Sequence, residues 1–204
     1  MKRNNLLFWV ATSWGLLCCG CSLTKPRPEV HHYTLALHVP AAAAGTAKAT
    51  LVVRSFSAHD PYNQERLVYR SSPYLMDFYN YHRWAASPTE QMSDWARTYM
   101  RSSGLFSLVL PTGDGIADFS LHGNIRQFDE IDHGEIWEAA LSLDIWLTRA
   151  DLRTPLWFHT YTTTQQTAKR NPAAVAETMS RNLESILTQL ISDIAPVVAA
   201  ASTP

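Results

Sequence analysis

The sequence predicts an α+β fold, a single mainly antiparallel or mixed sheet with two amphipathic helices packed on one of its faces. Three observations predict it. Segments of period-2 apolar alternation recur along the chain between short turns bearing Pro, Gly or Asp, as hairpin-connected strands require. Two other segments place apolar residues at helical spacing behind capping signals, Ser87-Pro88-Thr89-Glu90 and Asn171-Pro172. The chain of 204 residues, 46% apolar and 17% charged, suits one domain that buries roughly 70% of its unfolded surface without a disulfide or metal.

The N-terminus is set apart from that domain. Lys2 and Arg3 precede an uncharged stretch from Leu6 to Cys19, about 21 Å long if helical and too short to cross ~30 Å of hydrocarbon. It ends in Leu16-Leu17-Cys18-Cys19-Gly20-Cys21-Ser22, which resembles a bacterial lipobox: residues 1–20 are the expected signal peptide and Cys21 the expected lipidated residue. Cys18 departs from the Leu usual at its position, and Cys18 and Cys19 are themselves poorer acceptors because no small residue precedes them. An ordinary secretory signal or an uncleaved anchor is the alternative. All three Cys lie in this segment, so the processed chain is expected to hold no disulfide and to rely on its core. Residues 21–30, with Pro26, Pro28, Lys25, Arg27 and Glu29, are expected to form the lipidated Cys and a flexible tether.

The domain expected over residues 31–196 begins with a strand in which Tyr33, Leu35, Leu37 and Val39 alternate with polar or small residues and which Pro40 ends. An Ala-rich loop from Ala41 to Ala49 leads to a second strand through Leu51 and Val53. Pro73 divides two strands in the aromatic segment Arg66 to Trp84, because proline cannot donate to a central ladder. The first helix, capped by Ser87, turns Met92, Trp95, Ala96 and Tyr99 to one face and stops at Gly104. Leu105 to Leu110 is the next strand and Pro111 to Gly115 a turn. Phe119, Leu121 and Ile125 share one parity and Phe128 the other, which predicts a bulge. Asp129 to Glu135 is expected as a solvated acidic hairpin loop. Beyond it the odd residues from Trp137 to Leu147 mark the clearest strand. Leu156 to Thr164 is the last strand, and the terminal helix is expected to end at Pro196, leaving residues 197–204 loose.

Charge and motifs exclude several functions. With 17 Lys+Arg against 18 Asp+Glu and a pI of ≈ 6.7, the chain lacks the basic character of a nucleic-acid binder. It has no Gly-rich phosphate loop, HExxH, CxxC or Gly-x-Ser-x-Gly. No catalytic residue, metal or cofactor is therefore expected, and the chain is read as a non-enzyme. His31 and His32, adjacent on a strand, point to opposite faces and do not form a bidentate metal site alone. His133 and Glu135 sit among acidic residues without EF-hand spacing.

Leu51-Val52-Val53-Arg54 with Arg66-Leu67-Val68-Tyr69-Arg70, then Tyr79-Asn80-Tyr81-His82-Arg83-Trp84-Ala85, then Ser102-Ser103-Gly104-Leu105-Phe106 resemble the ABC-type transport auxiliary lipoproteins, the PqiC-like periplasmic lipoproteins. The resemblance spans nearly all of the processed domain. It implies a non-enzymatic part of a lipid-transport system, with an inner-membrane ABC transporter, a periplasmic MCE-domain protein as partner, and this chain on the periplasmic face of the outer membrane. It also implies a possible homo-oligomer. A structural accessory lipoprotein of another envelope assembly or secretion machine is the alternative. On the residues themselves, Tyr81, Trp84 and Trp146 are the candidate partner-binding anchors, because interfaces are enriched in aromatics. Rings that merely close the edge of the core are the competing reading.

Overall fold

A computed structural model describes residues 28–41, 49–112, 117–152 and 154–202; the signal segment with Cys21, most of the tether and most of the Ala-rich loop lie outside them. Among the described residues the chain order is β1 (His31–Tyr33), β2 (Thr50–Val53), β3 (Ser57–Ala58), β4 (Arg66–Ser72), β5 (Leu75–Trp84), α1 (Pro88–Ser102), β6 (Leu108–Leu110), β7 (Phe119–Asp132), β8 (Trp137–Arg149), β9 (Trp157–Gln166) and α2 (Pro172–Ala201). The strands form one mixed sheet and the two helices share its core, the α+β architecture expected.

The longest strand organises the sheet. β7 pairs antiparallel with β8 from Phe119↔Arg149 to Asp132↔Trp137, and β8 pairs antiparallel with β9. Along its other edge β7 takes three parallel partners in succession: β2 near Phe119, β3 at Asn124 and β4 at Glu130. β6 then extends the sheet from β2, and β5 followed by β1 extends it from β4. The bulge read from apolar parity is present, as a register shift between Ile125 and Gln127. Before it Phe119, Leu121 and Ile125 are buried; after it Phe128 is. Gly123 lets another side chain come close, since a Cβ there would stand 2.5 Å from the Phe56 ring.

The odd residues of β8 from Ala139 to Leu147 and the α2 stripe Leu183, Ile186, Leu187, Leu190 and Ile194 are all buried and belong to one core. Each such Leu or Ile contributes about 1.5–3 kcal/mol on burial. α2 is long and apolar enough to cross a membrane, but this stripe lies in the core while Glu177, Arg181, Gln189 and Ser192 are exposed or half-buried. The caps form as expected: Ser87 Oγ accepts from the Glu90 N–H at 3.2 Å and Asn171 Oδ1 from the Ala174 N–H at 2.9 Å, while Gly104 has φ +68.

Three elements differ from expectation. Tyr33 to Val39 is not a sheet strand: the ladder of β1 ends at Tyr33, and the chain then runs as an extended strap held by side chains of both helices. The Leu35 N–H donates to Gln91 Oε1 at 2.8 Å, the Ala36 N–H to Ser180 Oγ at 3.1 Å and the His38 N–H to Glu184 Oε2 at 3.2 Å. Trp95 Nε1 and Tyr99 OH return bonds to the Leu35 and His38 carbonyls. Alternation reports a half-buried extended chain but not which groups satisfy its backbone. Second, α2 passes through Pro196 to Ala201, so the helix does not end there and residues 197–201 are not loose. Proline removes one intrahelical bond, whereas continuing the helix buries Val198 and lets Arg149 Nη1 donate to the Ala201 carbonyl at 3.1 Å. Third, the strand expected from Leu105 starts at Leu108.

Candidate partner-binding surfaces

The face of β7, β8 and β9 that carries Asp144 and Thr160 is mainly polar, with Ile131 and Ala140 toward the Asp132 end of β7 and one aromatic band toward the other. Register places His122, Trp146 and Phe158 side by side on the three strands. The His122 and Trp146 rings stack at 5.2 Å and 4°, and Phe158 beside them is 56% exposed. Burial, and then the nearby Arg54 guanidinium, push the His122 imidazole below its usual pKa, so it stays neutral against the indole. The neighbouring rows are hydrophilic: Thr160 Oγ1 donates to Asp144 Oδ1 at 2.7 Å, Arg126 Nη1 stands 3.4 Å from the same carboxylate, and Ser142 and Thr162 share a hydroxyl contact of 2.9 Å. Trp146 is half-buried within this band. His122 and Phe158 were not singled out in the sequence, because their proximity to Trp146 depends on the register of three strands.

The other sequence candidates separate. Tyr81 is 46% exposed on β5, and at the tip of the β4–β5 hairpin Tyr74 is 97% and Leu75 58% exposed. Trp84 is not on the surface. It is 3% exposed, its ring 4.8 Å from Phe128, beneath a backbone tied to β1 at Tyr33 and to the Glu65 carbonyl. It belongs to the core and is withdrawn as a partner anchor. Tyr81 and Trp146 are not neighbours either, since β4 and β7 intervene, at least ~14 Å of sheet.

The acidic segment is not a solvated loop at its start. β7 continues to Asp132, the turn is His133 to Ile136 with Gly134 at φ +82, and Asp129 and Glu130 are each 1% exposed. Buried carboxylates need partners, and the fold supplies them. Asp129 accepts from Tyr62 OH at 2.8 Å, Gln127 Nε2 at 2.9 Å and Arg70 Nε, while Arg70 Nη2 donates to Tyr62 OH at 3.0 Å. On the opposite face Tyr79 OH lies 3.1 Å from both Glu130 oxygens. Burial raises the Glu130 carboxyl to about 7, Asp132 adding to the rise and the Tyr79 bond opposing it. Burial likewise raises Tyr62 to about 12. A cleft of ≈ 600 Å³ opens beside Tyr62 and Arg70. Of the histidines weighed as metal ligands, His31 stacks on His82 at 5.3 Å and His133 Nε2 lies 3.0 Å from Glu138 Oε2. Among the described residues no three His, Cys, Asp or Glu side chains are grouped to hold a metal.

Residues 33–191, from the strap through most of α2, match the family described as the ABC-type transport auxiliary lipoprotein component. Among solved structures the fold is similar to that of protein XCC0632 from Xanthomonas campestris, with a TM-score of 0.76 at 21% identity over 85% of this chain and 100% of that one. A second, titled an uncharacterized protein, has a TM-score of 0.66 at 13% identity over 82% of this chain and 99% of that one. No curated protein matches the sequence.

Proposed function

The chain belongs to the family of ABC-type transport auxiliary lipoprotein components, and on that premise we propose that it is a non-enzymatic part of an intermembrane lipid-transport system. In this reading Cys21 is acylated and fixes the protein to the periplasmic face of the outer membrane. Ser22 follows it in place of the Asp that marks inner-membrane retention. The domain then docks on a periplasmic MCE-domain protein whose ABC transporter, in the inner membrane, supplies the energy. The family match across residues 33–191 carries the reading. The structure supports it with the His122, Trp146 and Phe158 band, an aromatic strip within a polar face, which is the composition of an interface centre with its rim. Several copies assembled together would let modest contacts act jointly through high effective concentration.

Affinity purification of the tagged protein from detergent-solubilised envelopes tests the proposal. Recovery of an MCE-domain protein, lost in a Trp146→Ala variant that still folds, is the expected result. Reproducible recovery of an outer-membrane assembly machine alone, with an unaltered lipid barrier on deletion, would replace the proposal with that of a structural accessory.

A further inference from the structure

Three basic side chains form a row across β1, β5 and β4. Register sets His32 opposite Arg83 and Arg83 opposite Arg66, so the three share one face of the sheet; Val30 directly precedes β1, and Tyr81 stands two residues before Arg83 on β5. Like charges opposed in a ladder weaken the pairing of their own strands. Nothing among the described residues offsets them, for the ion pairs there involve other groups, and neither Glu29 nor Glu65 pairs with Arg66 or Arg83. Arg66 donates from Nε to Gln64 Oε1 at 2.9 Å and lies 4.5 Å over the Phe78 ring, which holds its guanidinium in place without neutralising it. Beside the two arginines are an apolar and an aromatic group in water, Val30 at 41% and Tyr81 at 46% exposed.

The chain that leaves this face leads to the anchor. From Cys21 to Val30 it extends at most ~30 Å and carries Lys25 and Arg27. We propose that the His32, Arg83 and Arg66 row, flanked by Val30 and Tyr81, docks on the anionic headgroups of the membrane that holds Cys21. Arginines near an anionic surface and a tyrosine at headgroup depth are what such a surface favours. The short tether keeps the local concentration of that surface high, so a few contacts suffice to orient the domain rather than leave it loose on its anchor. The inference rests on acylation of Cys21.

The test places the mature protein in lipid nanodiscs of phosphatidylcholine, with and without phosphatidylglycerol, and follows amide exchange over residues 30–33 and 78–84. A parallel form, with a hexahistidine tag on nickel-chelating lipid in place of the acyl anchor, reports docking whether or not Cys21 is modified, which intact mass reads separately. Exchange slows when phosphatidylglycerol is present, in both forms. Raised salt reverses the effect, and R66Q and R83Q each weaken it about fivefold. Equal exchange on both lipids, or slowing that survives the R66Q/R83Q pair, overturns the proposal. An unmodified Cys21 together with lipid-dependent slowing of the tagged form removes the acyl anchor but leaves the docking face standing.

Discussion

Glu130 gives the protein a pH signature. Burial holds its carboxyl at about 7 against a usual 4.5, so between those values the folded state keeps a proton that the unfolded chain has released. Stability from this group is complete below pH 4.5 and is lost as pH rises through 7, on the order of 3 kcal/mol. Glu130→Gln keeps an acceptor for Tyr79 and has no charge to bury. Urea unfolding should find the variant no more stable than the parent at pH 4 and more stable at pH 8; a parent and variant that stay parallel across pH would remove Glu130 as the cause. Asp129 is equally buried but is paired. Asp129→Ala strands Arg70 and Tyr62 and should cost about 3 kcal/mol at pH 7, the low end for a broken buried pair, since Arg70 retains some solvent. Neither residue was legible as buried. A run of acidic side chains reads as a solvated tip, and the groups that make burial tolerable, Tyr62, Arg70 and Tyr79, lie more than fifty residues earlier in the chain.

Elements whose apolar period was strong, such as β8 with its odd residues inward and the helix behind Ser87, were legible in full. The strap was half legible: its alternation showed an extended chain, but the acceptors for Leu35 and Ala36 come from Gln91 on α1 and Ser180 on α2. Gln91→Ala or Ser180→Ala leaves a strap N–H without its partner, at a cost of about 1–2 kcal/mol. Amide exchange at Leu35 or Ala36 should quicken in the matching variant; unchanged exchange would mean that another group holds the strap. The two tryptophans differ in the same terms. Trp84→Ala empties a core position and should cost ~3–5 kcal/mol. Trp146→Ala mainly unstacks His122 on an open face, about 1 kcal/mol. Thermal melting orders them, and a collapse caused by Trp146→Ala would mark it as core rather than as an interface anchor.

At the scale of the whole molecule the sheet and helices share one buried core, and the expectation of a fold without metal predicts that the melting temperature of the mature chain is the same with and without EDTA. A large fall on chelation would reveal a metal in the fold. The fold class could be read from local patterns, whereas the surface could not, because it depends on which strands lie side by side. Tyr81, Trp84 and Trp146 look alike in the sequence, yet one is exposed on β5, one is in the core and one lies in an aromatic band. The central claim, a lipid-transport component whose β8 face meets an MCE-domain partner, is tested most directly by photocrosslinking in living cells from a reactive residue at position 146, with position 81 as the comparison. The account predicts an adduct with an MCE-domain protein from position 146 and lipid adducts from position 81; an adduct from position 146 with only an outer-membrane assembly component would contradict it.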